Sequence, residues 1–320
     1  MKIQAHFLFR LFNHGFAACC CAALAISLLA ILGSWHWICE LFDHFRIQYV
    51  VISLLSLIYF SLRKWRCSIG FASLTLLVHL WPIGKLSFPL PVDVASDGTP
   101  AIKIVSFNVL VSNNRYGDTL RYLESTNADV ICLYEVNEKW HNAMKPLRQK
   151  YPHGRTQTTD RSMGIELFSR HPLRRIEIKK LCEEGMPCAI AQLEWQGREM
   201  RLIGFHPLPP ISKRLSHLLK QEFASMATLL AASPNVPTLV FGDFNTTPWS
   251  SNMTLLRTVG AVDFRTPQPV WKPTWNANTL YMLPIDHALC SKHLIYQKRI
   301  IGPNLGSDHL PQELHAQWIR

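Results

Sequence analysis

Leu239 to Trp249 reads LVFGDFNTTPW. An apolar run stops at Gly242, and Asp243 and Asn245 follow at once. Continuous apolar runs of this length, bounded by turn residues, suit a strand buried on both faces. A carboxylate and an amide at the mouth of such a strand are costly unless partnered, since a buried polar group without a partner costs about 1–3 kcal/mol. Strand pleating would point two residues spaced two apart the same way. Asp243 and Asn245 are therefore expected to face one site, with Phe244 turned to packing.

The same arrangement recurs along the chain. VSFN ends in Asn108, ICLYE in Glu135 and LIGFH in His206, while PIDH presents Asp286 and His287 and GSDHLP presents Asp308 and His309. Each case alone is weak: a lone Glu at a strand end is commonly a solvated edge, and a His-Pro pair is commonly a turn. Six cases together predict convergence. Glu135 offers a hard oxygen suited to magnesium. His309 suits a general base, with a carboxylate to hold its tautomer. Asn108, Asn245 and His206 suit donors to charge developing on phosphoryl oxygens.

Between these ends, strands and helices alternate. IKIVSFNV (102–109), DVICLYEV (129–136), GIELFSR, LRRIEIKKL, AIAQLEW, REMRLIGFH, PTLVFGDFN, PIDHALCS, LIYQKRI and the end of the chain read as strands. DTLRYLEST (118–126), EKWHNAMKPLRQKY, KRLSHLLKQEFASMATLLAA (213–232) and MTLLRTVG, closed by Gly260, read as helices. Residues 101–320 thus form one α/β domain. Residues 84–100, with three prolines and two glycines, have the composition of a linker.

The first 83 residues differ. FAACCCAALAISLLAILGSWHWI (16–38) holds no Asp, Glu, Lys or Arg, and its 23 residues exceed the roughly 20 needed to cross a bilayer. YVVISLLSLIYFSL (49–62) is short for a span and CSIGFASLTLLVHLWPI (67–83) is borderline. The three are read as a membrane anchor, with a buried hairpin or interfacial helices as the alternative for the shorter two. A cleaved leader fits poorly, because Arg10 interrupts the leading apolar stretch and no small-residue site is followed by polar sequence. RKWR (63–66) lies between the second and third runs and is the densest positive link. The positive-inside rule therefore puts it and the N-terminus in the cytoplasm, and everything after the third run outside.

The net charge is +11; residues 1–100 carry +3, and the remainder, with 26 basic against 18 acidic residues, carries +8. That excess favours anionic partners such as phosphate esters, nucleic acid or lipid head groups. Of nine cysteines, Cys182 and Cys188 flank EEGMP and could pair across a hairpin or stay reduced, and no zinc-type spacing is present. Trp249, Trp271 and Trp275 could stack on a base or sugar or simply pack.

The motifs SFNV, YEV, GIELFSRHPL, FHPLPP, GDFN, PIDH and GSDHLP, in that order, resemble the endonuclease/exonuclease/phosphatase superfamily over about residues 101–320. The variant most similar is a bacterial, membrane-anchored group with an HPLPP segment. The resemblance implies a four-layer α/β sandwich of two mixed β-sheets flanked by helices, here preceded by N-terminal transmembrane helices. It implies magnesium-dependent phosphoester hydrolysis, with manganese as the substitute, of a nucleic acid or a phospholipid head group at a bacterial inner membrane. No segment points to a protein partner. Carried over by position, Glu135 would be the main metal ligand with Asn108 beside it, and Asp308 would lie at the metal or support His309. His309 would be the base and Asp286 its orienting carboxylate. Asp243 would position or activate water, Asn245 and Asn108 would hold the phosphate, and His206 would stabilise the transition state. His287 receives no catalytic role. Two departures stand out. Tyr134 replaces the usual Gln before the metal-binding Glu, and Leu110 replaces an Asp found in some nucleases, which weakens the case for a second metal. A non-catalytic scaffold is the contrasting reading, and it predicts losses among these positions, of which there are none.

Overall fold

The computed structural model describes residues 2–87 and 100–319, apart from Arg265, Pro267 and Ala277. It divides into two compact units, Met1–Lys85 and Leu86–Arg320. The expected linker, 84–100, lies outside the described residues from 88 to 99, and the helix before it continues to Ser87.

The first unit holds α1 (Lys2–Ser27), a 3-10 turn (Leu28–Leu32), α2 (Trp37–Asp43), α3 (Arg46–Arg63) and α4 (Arg66–Ser87). Three segments are long and apolar enough to cross a membrane: Asn13–Leu32, Arg46–Arg63 and Arg66–Leu86, of 20, 18 and 21 residues. The first apolar run is not one helix, as expected from its composition, but two. It breaks after Leu32, and His36 caps the short α2, its Nδ1 accepting from the Ile38 N–H at 3.3 Å. The second run is longer than its apolar letters, because Arg46 opens the helix and is paired with Asp43. Lys64, in the left-handed region at φ 57°, closes α3. Within the bundle His79 Nε2 lies 2.9 Å from Ser27 Oγ, and Ser53 and Thr75 share a hydrogen bond of 3.3 Å. Polar pairs of this kind tie apolar helices together. Leu55, Leu62, Leu77 and Trp81 are exposed around it.

The second unit runs β1 (Ile102–Asn108), α5 (Tyr116–Thr126), β2 (Val130–Tyr134), α6 (Glu138–Met144), β3 (His153–Gln157), β4 (Ile165–Ser169), β5 (Leu173–Lys180), β6 (Pro187–Trp195), β7 (Arg198–Gly204), α7 (Lys213–Ala231), β8 (Thr238–Asp243), α8 (Ser251–Thr258), β9 (Val262–Asp263), β10 (Asp286–Ser291), β11 (Leu294–Ile301) and β12 (Gln312–Trp318). Two six-stranded sheets form, in the orders β11-β12-β1-β2-β4-β3 and β5-β6-β7-β8-β10-β9. Both are mixed: β1 runs parallel to β2 and β7 to β8, and the remaining pairs are antiparallel.

The alternation read from the sequence places one set of strand side chains between the sheets, including Ile104, Cys132, Leu202, Leu239 and Leu314. The opposite faces of the first sheet pack Val105, Ile131 and Phe168 with Leu123 of α5 and Trp140 of α6. Those of the second pack Ile203, Val240 and Leu289 with Phe223 of α7 and Met253 of α8. The result is the expected helix–sheet–sheet–helix sandwich. Side-chain caps start three of its helices: Asn137 accepts from Trp140 N at 2.9 Å, Ser212 from Leu215 N at 3.2 Å and Ser250 from Met253 N at 3.2 Å.

Two elements differ from expectation, and the open choice at Cys182 and Cys188 falls to free thiols. The helix expected across EKWHNAMKPLRQKY stops at Met144, and Pro146 turns the rest into a 3-10 segment. HGRTQ, unread in the sequence, is β3, an edge strand with no apolar alternation to announce it. Cys182 and Cys188 both carry free thiols. The hairpin does form, but Lys179 rather than Cys182 faces Cys188, so Cys182 lies in the turn beyond bonding register.

Candidate active site

Pairing brings the polar strand ends together. Asn108 and Tyr134 are register partners at the ends of the parallel β1 and β2, and Glu135 follows in the left-handed region at φ 62°. Asp243 and Asp286 face one another at the end of β8 and the start of β10. β12 runs antiparallel to β1, so the loop before it returns to the end of β1, where Ser307 Oγ donates to the Asn108 carbonyl at 2.7 Å. The His309 N–H in turn donates to Ser307 Oγ at 3.0 Å. Ser307 is thus the bracket that sets His309 over the site. Its place in GSDHLP was visible, but no charge or ring marked it out.

The centre is Asp243 Oδ2. Asn108 Nδ2 donates to it at 3.1 Å, and the Nε2 atoms of His309 and His206 lie 3.4 and 3.5 Å away. His309 Nδ1 is 2.9 Å from Asp286 Oδ2. Asn108 Nδ2 also donates to Glu135 Oε1 at 3.0 Å, and Glu135 Oε2 accepts from the Val111 N–H at 3.2 Å. Asp308 carries the indole N–H of Trp275 on Oδ2 at 2.9 Å. Asp243, Asp286, His206 and His309 are all buried, whereas Glu135 is half-exposed.

Burial and charge set the protons. Burial alone would lower His309, but Asp286 and Asp243, with the Asp286 hydrogen bond, outweigh it and push the imidazole up to about 10. Burial raises Asp286, and the His309 charge and hydrogen bond more than reverse this, leaving it below the ordinary carboxylate value. Asp243 is raised, by burial first and by the Asp286 charge, against the pull of His309 and His206. His206 is lowered by burial. The trio holds one proton on His309 with two carboxylates around it, and the three titrate as a unit.

Ligand-type atoms of Asp243, Asp286 and His309 lie within 4.8 Å of one another. His309 Nδ1 is already bonded to Asp286, so this trio is satisfied by itself as a proton-handling unit. The donor set that fits a hard divalent cation is beside it. There the Glu135 and Asp243 carboxylates face each other across one amide N–H₂ group of Asn108, two negative groups drawn toward a single donor.

Asn245 departs from expectation. It has left the strand, at φ 50°, so pleating does not aim it. Its N–H donates to Asp243 Oδ1 and its Nδ2 to the Pro207 carbonyl, both at 2.9 Å, so it braces the carboxylate and the His206 segment. His287 is held by packing: its Nε2 is 2.7 Å from the Thr246 carbonyl, Phe244 and Phe264 pack edge-on against it, and burial lowers it to about 3. Arg299 and Thr274 were not anticipated. Arg299 donates to the Asp286 carbonyl at 3.0 Å and Thr274 Oγ1 accepts from the Asp286 N–H at 3.3 Å. Of the three tryptophans, Trp275 is committed to Asp308, Trp249 is half-buried and Trp271 is exposed.

Residues 105–309 match the model of the Endonuclease/Exonuclease/phosphatase family. Similar solved structures include the human Nocturnin catalytic domain with bound sulfate, at 18% identity and a TM-score of 0.56 over 69% of this chain and 95% of that one. D. rerio TDP2 complexed with a single-strand DNA product is 17% identical, with a TM-score of 0.53 over 68% and 98%. Sphingomyelinase C from Streptomyces griseocarneus is 15% identical, with a TM-score of 0.52 over 68% and 100%. At these identities the likeness is one of fold. No curated protein matches the sequence.

Proposed function

We propose a function from one premise: the chain belongs to the Endonuclease/Exonuclease/phosphatase family. It is a membrane-anchored, divalent-metal-dependent phosphoester hydrolase of the phosphodiesterase or nuclease type. The observation that carries this reading is His309, buried between Asp286 at 2.9 Å and Asp243 at 3.4 Å. A binding scaffold has no use for two buried carboxylates and two buried imidazoles, which are costly to desolvate.

In this reading, water against Asp243 gives its proton to that carboxylate as its oxygen bonds phosphorus, the P–O bond to the ester alcohol breaks, and protonated His309 gives its proton to the departing alkoxide and regains one from Asp243. Asp286 orients the His309 ring and stabilises its positive charge through Nδ1. Asn108 and His206 hold the phosphoryl oxygens, His206 as a neutral donor because burial lowers it, while Asn245 braces Asp243 and the His206 segment. Magnesium, or manganese, would be held by the facing Glu135 and Asp243 carboxylates, by Asn108 through its Oδ1, and by Asp308 if it releases Trp275. Bound there, the ion supplies Lewis-acid neutralisation of the phosphoryl charge.

The anchor is the three membrane-length segments, with the second unit on the extracytoplasmic face of a bacterial inner membrane. Between nucleic acid and phospholipid head group, one observation favours the lipid. Leu280 and Tyr281, 85% and 68% exposed, lie in the same loop as Trp275, which bridges to His309 and Asp308. Apolar side chains displayed beside a site suit a lipid surface.

The test is hydrolysis by the purified full chain of DNA, RNA, phospholipid vesicles and inositol phosphates, with magnesium and with EDTA. Retention of full activity by both Glu135→Gln and His309→Ala would overturn the reading. A C-terminal alkaline phosphatase fusion that stays inactive would overturn the topology.

A further inference from the structure

We propose that Glu222, on α7, is a positioning residue for His206, acting by clamping the backbone segment that carries this imidazole. The inference rests on the role given to His206 above.

The sequence of that segment creates the need. Strand β7 ends at Gly204, and the last ladder-type bond beyond it is from Phe205 N to Phe241 O at 2.9 Å. His206-Pro207-Leu208-Pro209-Pro210 follows, and its three prolines have no N–H. Such a segment cannot be held by extending the sheet, so its position must come from side chains. The Leu208 N–H donates to Glu222 Oε2 at 2.8 Å, and the Pro207 carbonyl accepts from Asn245 Nδ2 at 2.9 Å.

The other Glu222 oxygen is also committed. Oε1 accepts from the Met186 N–H at 2.6 Å, in the turn just before β6. One carboxylate therefore ties the His206 segment to the β5–β6 hairpin. Room is left for it: a Cβ on Gly185 would lie 3.0 Å from Glu222 Cγ. Glu222 is 1% exposed, on a helix face otherwise made of Leu218, Leu219, Phe223 and Met226. Solubility therefore does not explain a carboxylate there. Two backbone donors, each meeting one of its oxygens, do.

The experiment is a double-mutant cycle on the full chain in detergent, with bis(p-nitrophenyl) phosphate and magnesium. Glu222→Gln replaces one acceptor by a donor. It should lower kcat about 10–100-fold with KM nearly unchanged, as expected when a reacting group is displaced by about an ångström. In a His206→Ala background the same change should cost no more than about twofold. Independent, multiplicative losses, or no loss from Glu222→Gln alone, overturn the proposal. If Glu222→Gln does not fold, Glu222→Asp, which keeps both acceptors but withdraws them by one methylene, takes its place. Amide exchange is read in parallel and needs no turnover. Exchange over residues 205–211 should quicken in the variant while β8 stays unchanged, and unchanged exchange there overturns the clamp. If the wild-type chain hydrolyses none of the phosphoesters, the hydrolase reading fails, and the exchange result alone decides whether Glu222 holds the segment.

Discussion

The Tyr134 hydroxyl donates to the Phe241 carbonyl at 2.9 Å, crossing from the first sheet to the second directly beneath the site. Tyr134 ends β2 one residue before Glu135, and Phe241 lies two residues before Asp243. The bond therefore fixes the spacing between the two carboxylates. Glycines make way for it: a Cβ would come within 3.3 Å of the hydroxyl at Gly204 and within 2.8 Å at Gly242. The bond gives Tyr134 a structural role that a shorter side chain could not fill.

Tyr134→Phe removes the hydroxyl but leaves the Phe241 carbonyl its bond from Phe205 N, so no acceptor is wholly stranded. We expect a loss of about 1 kcal/mol, the usual net worth of one hydrogen bond. Urea unfolding of the second unit checks it; a loss above about 3 kcal/mol would mean that the ring itself had moved.

Gly242→Ala is the severe counterpart. Gly242 has φ 147°, and a Cβ there would lie 2.1 Å from the Phe205 carbonyl oxygen. The neighbouring backbone has to shift, which should cost about 3 kcal/mol or more and disturb Asp243 next to it. A Tm within a degree or two of wild type would contradict this.

What the sequence conveyed and withheld divides along physical lines. Buried strands announce themselves by apolar runs, and Asn108, Glu135, His206, Asp243, Asp286 and His309 were legible because polar residues at the ends of such runs need partners. The edge strand His153–Gln157 was not, because an exposed edge has no periodicity to keep. Asn245 was misaimed because the pleating rule assumes that the strand continues, whereas the chain enters the left-handed region at that residue. Tyr134, Ser307 and Arg299 act through contacts between residues 107, 199 and 13 positions apart, the first two of which no local window could show.

Asp286→Asn tests the proton-handling unit. The amide keeps the shape but removes a charge that holds the His309 proton, and it can set a donor against Nδ1–H. Hydrolysis should fall about 10²–10⁴-fold, the range for general acid–base catalysis, with little change in KM. Equal losses in KM and kcat would point to substrate binding instead.

The same pair should make stability depend on pH when EDTA is present. His309 is raised to about 10 from 6.5, so its contribution is full below about 6.5 and is lost as pH rises through 10. Asp286 is lowered from 3.8, so its contribution is present above about 3.8 and is lost as pH falls through its folded value. The Tm difference between wild type and Asp286→Asn should therefore be largest from about pH 4 to 6.5 and shrink steadily toward pH 10. A difference that is flat over this span would show that the pair is not ionised as the geometry implies.

Glu135→Gln separates metal binding from proton handling. Among the described residues, Glu135 is half-exposed and bonded to Asn108 Nδ2 and the Val111 N–H alone, so an amide of the same size should fold with little penalty. The wild-type Tm should rise with magnesium concentration, because a ligand that binds only the folded chain stabilises it by RT ln(1 + [L]/Kd), about 2.7 kcal/mol at a hundredfold excess over Kd. In Glu135→Gln the rise should vanish, and EDTA should change nothing. His309→Ala should keep the rise while losing hydrolysis. If His309→Ala instead abolishes the magnesium-dependent rise and Glu135→Gln preserves it, the cation belongs to the Asp243–Asp286–His309 cluster, and the assignment of Glu135 is wrong.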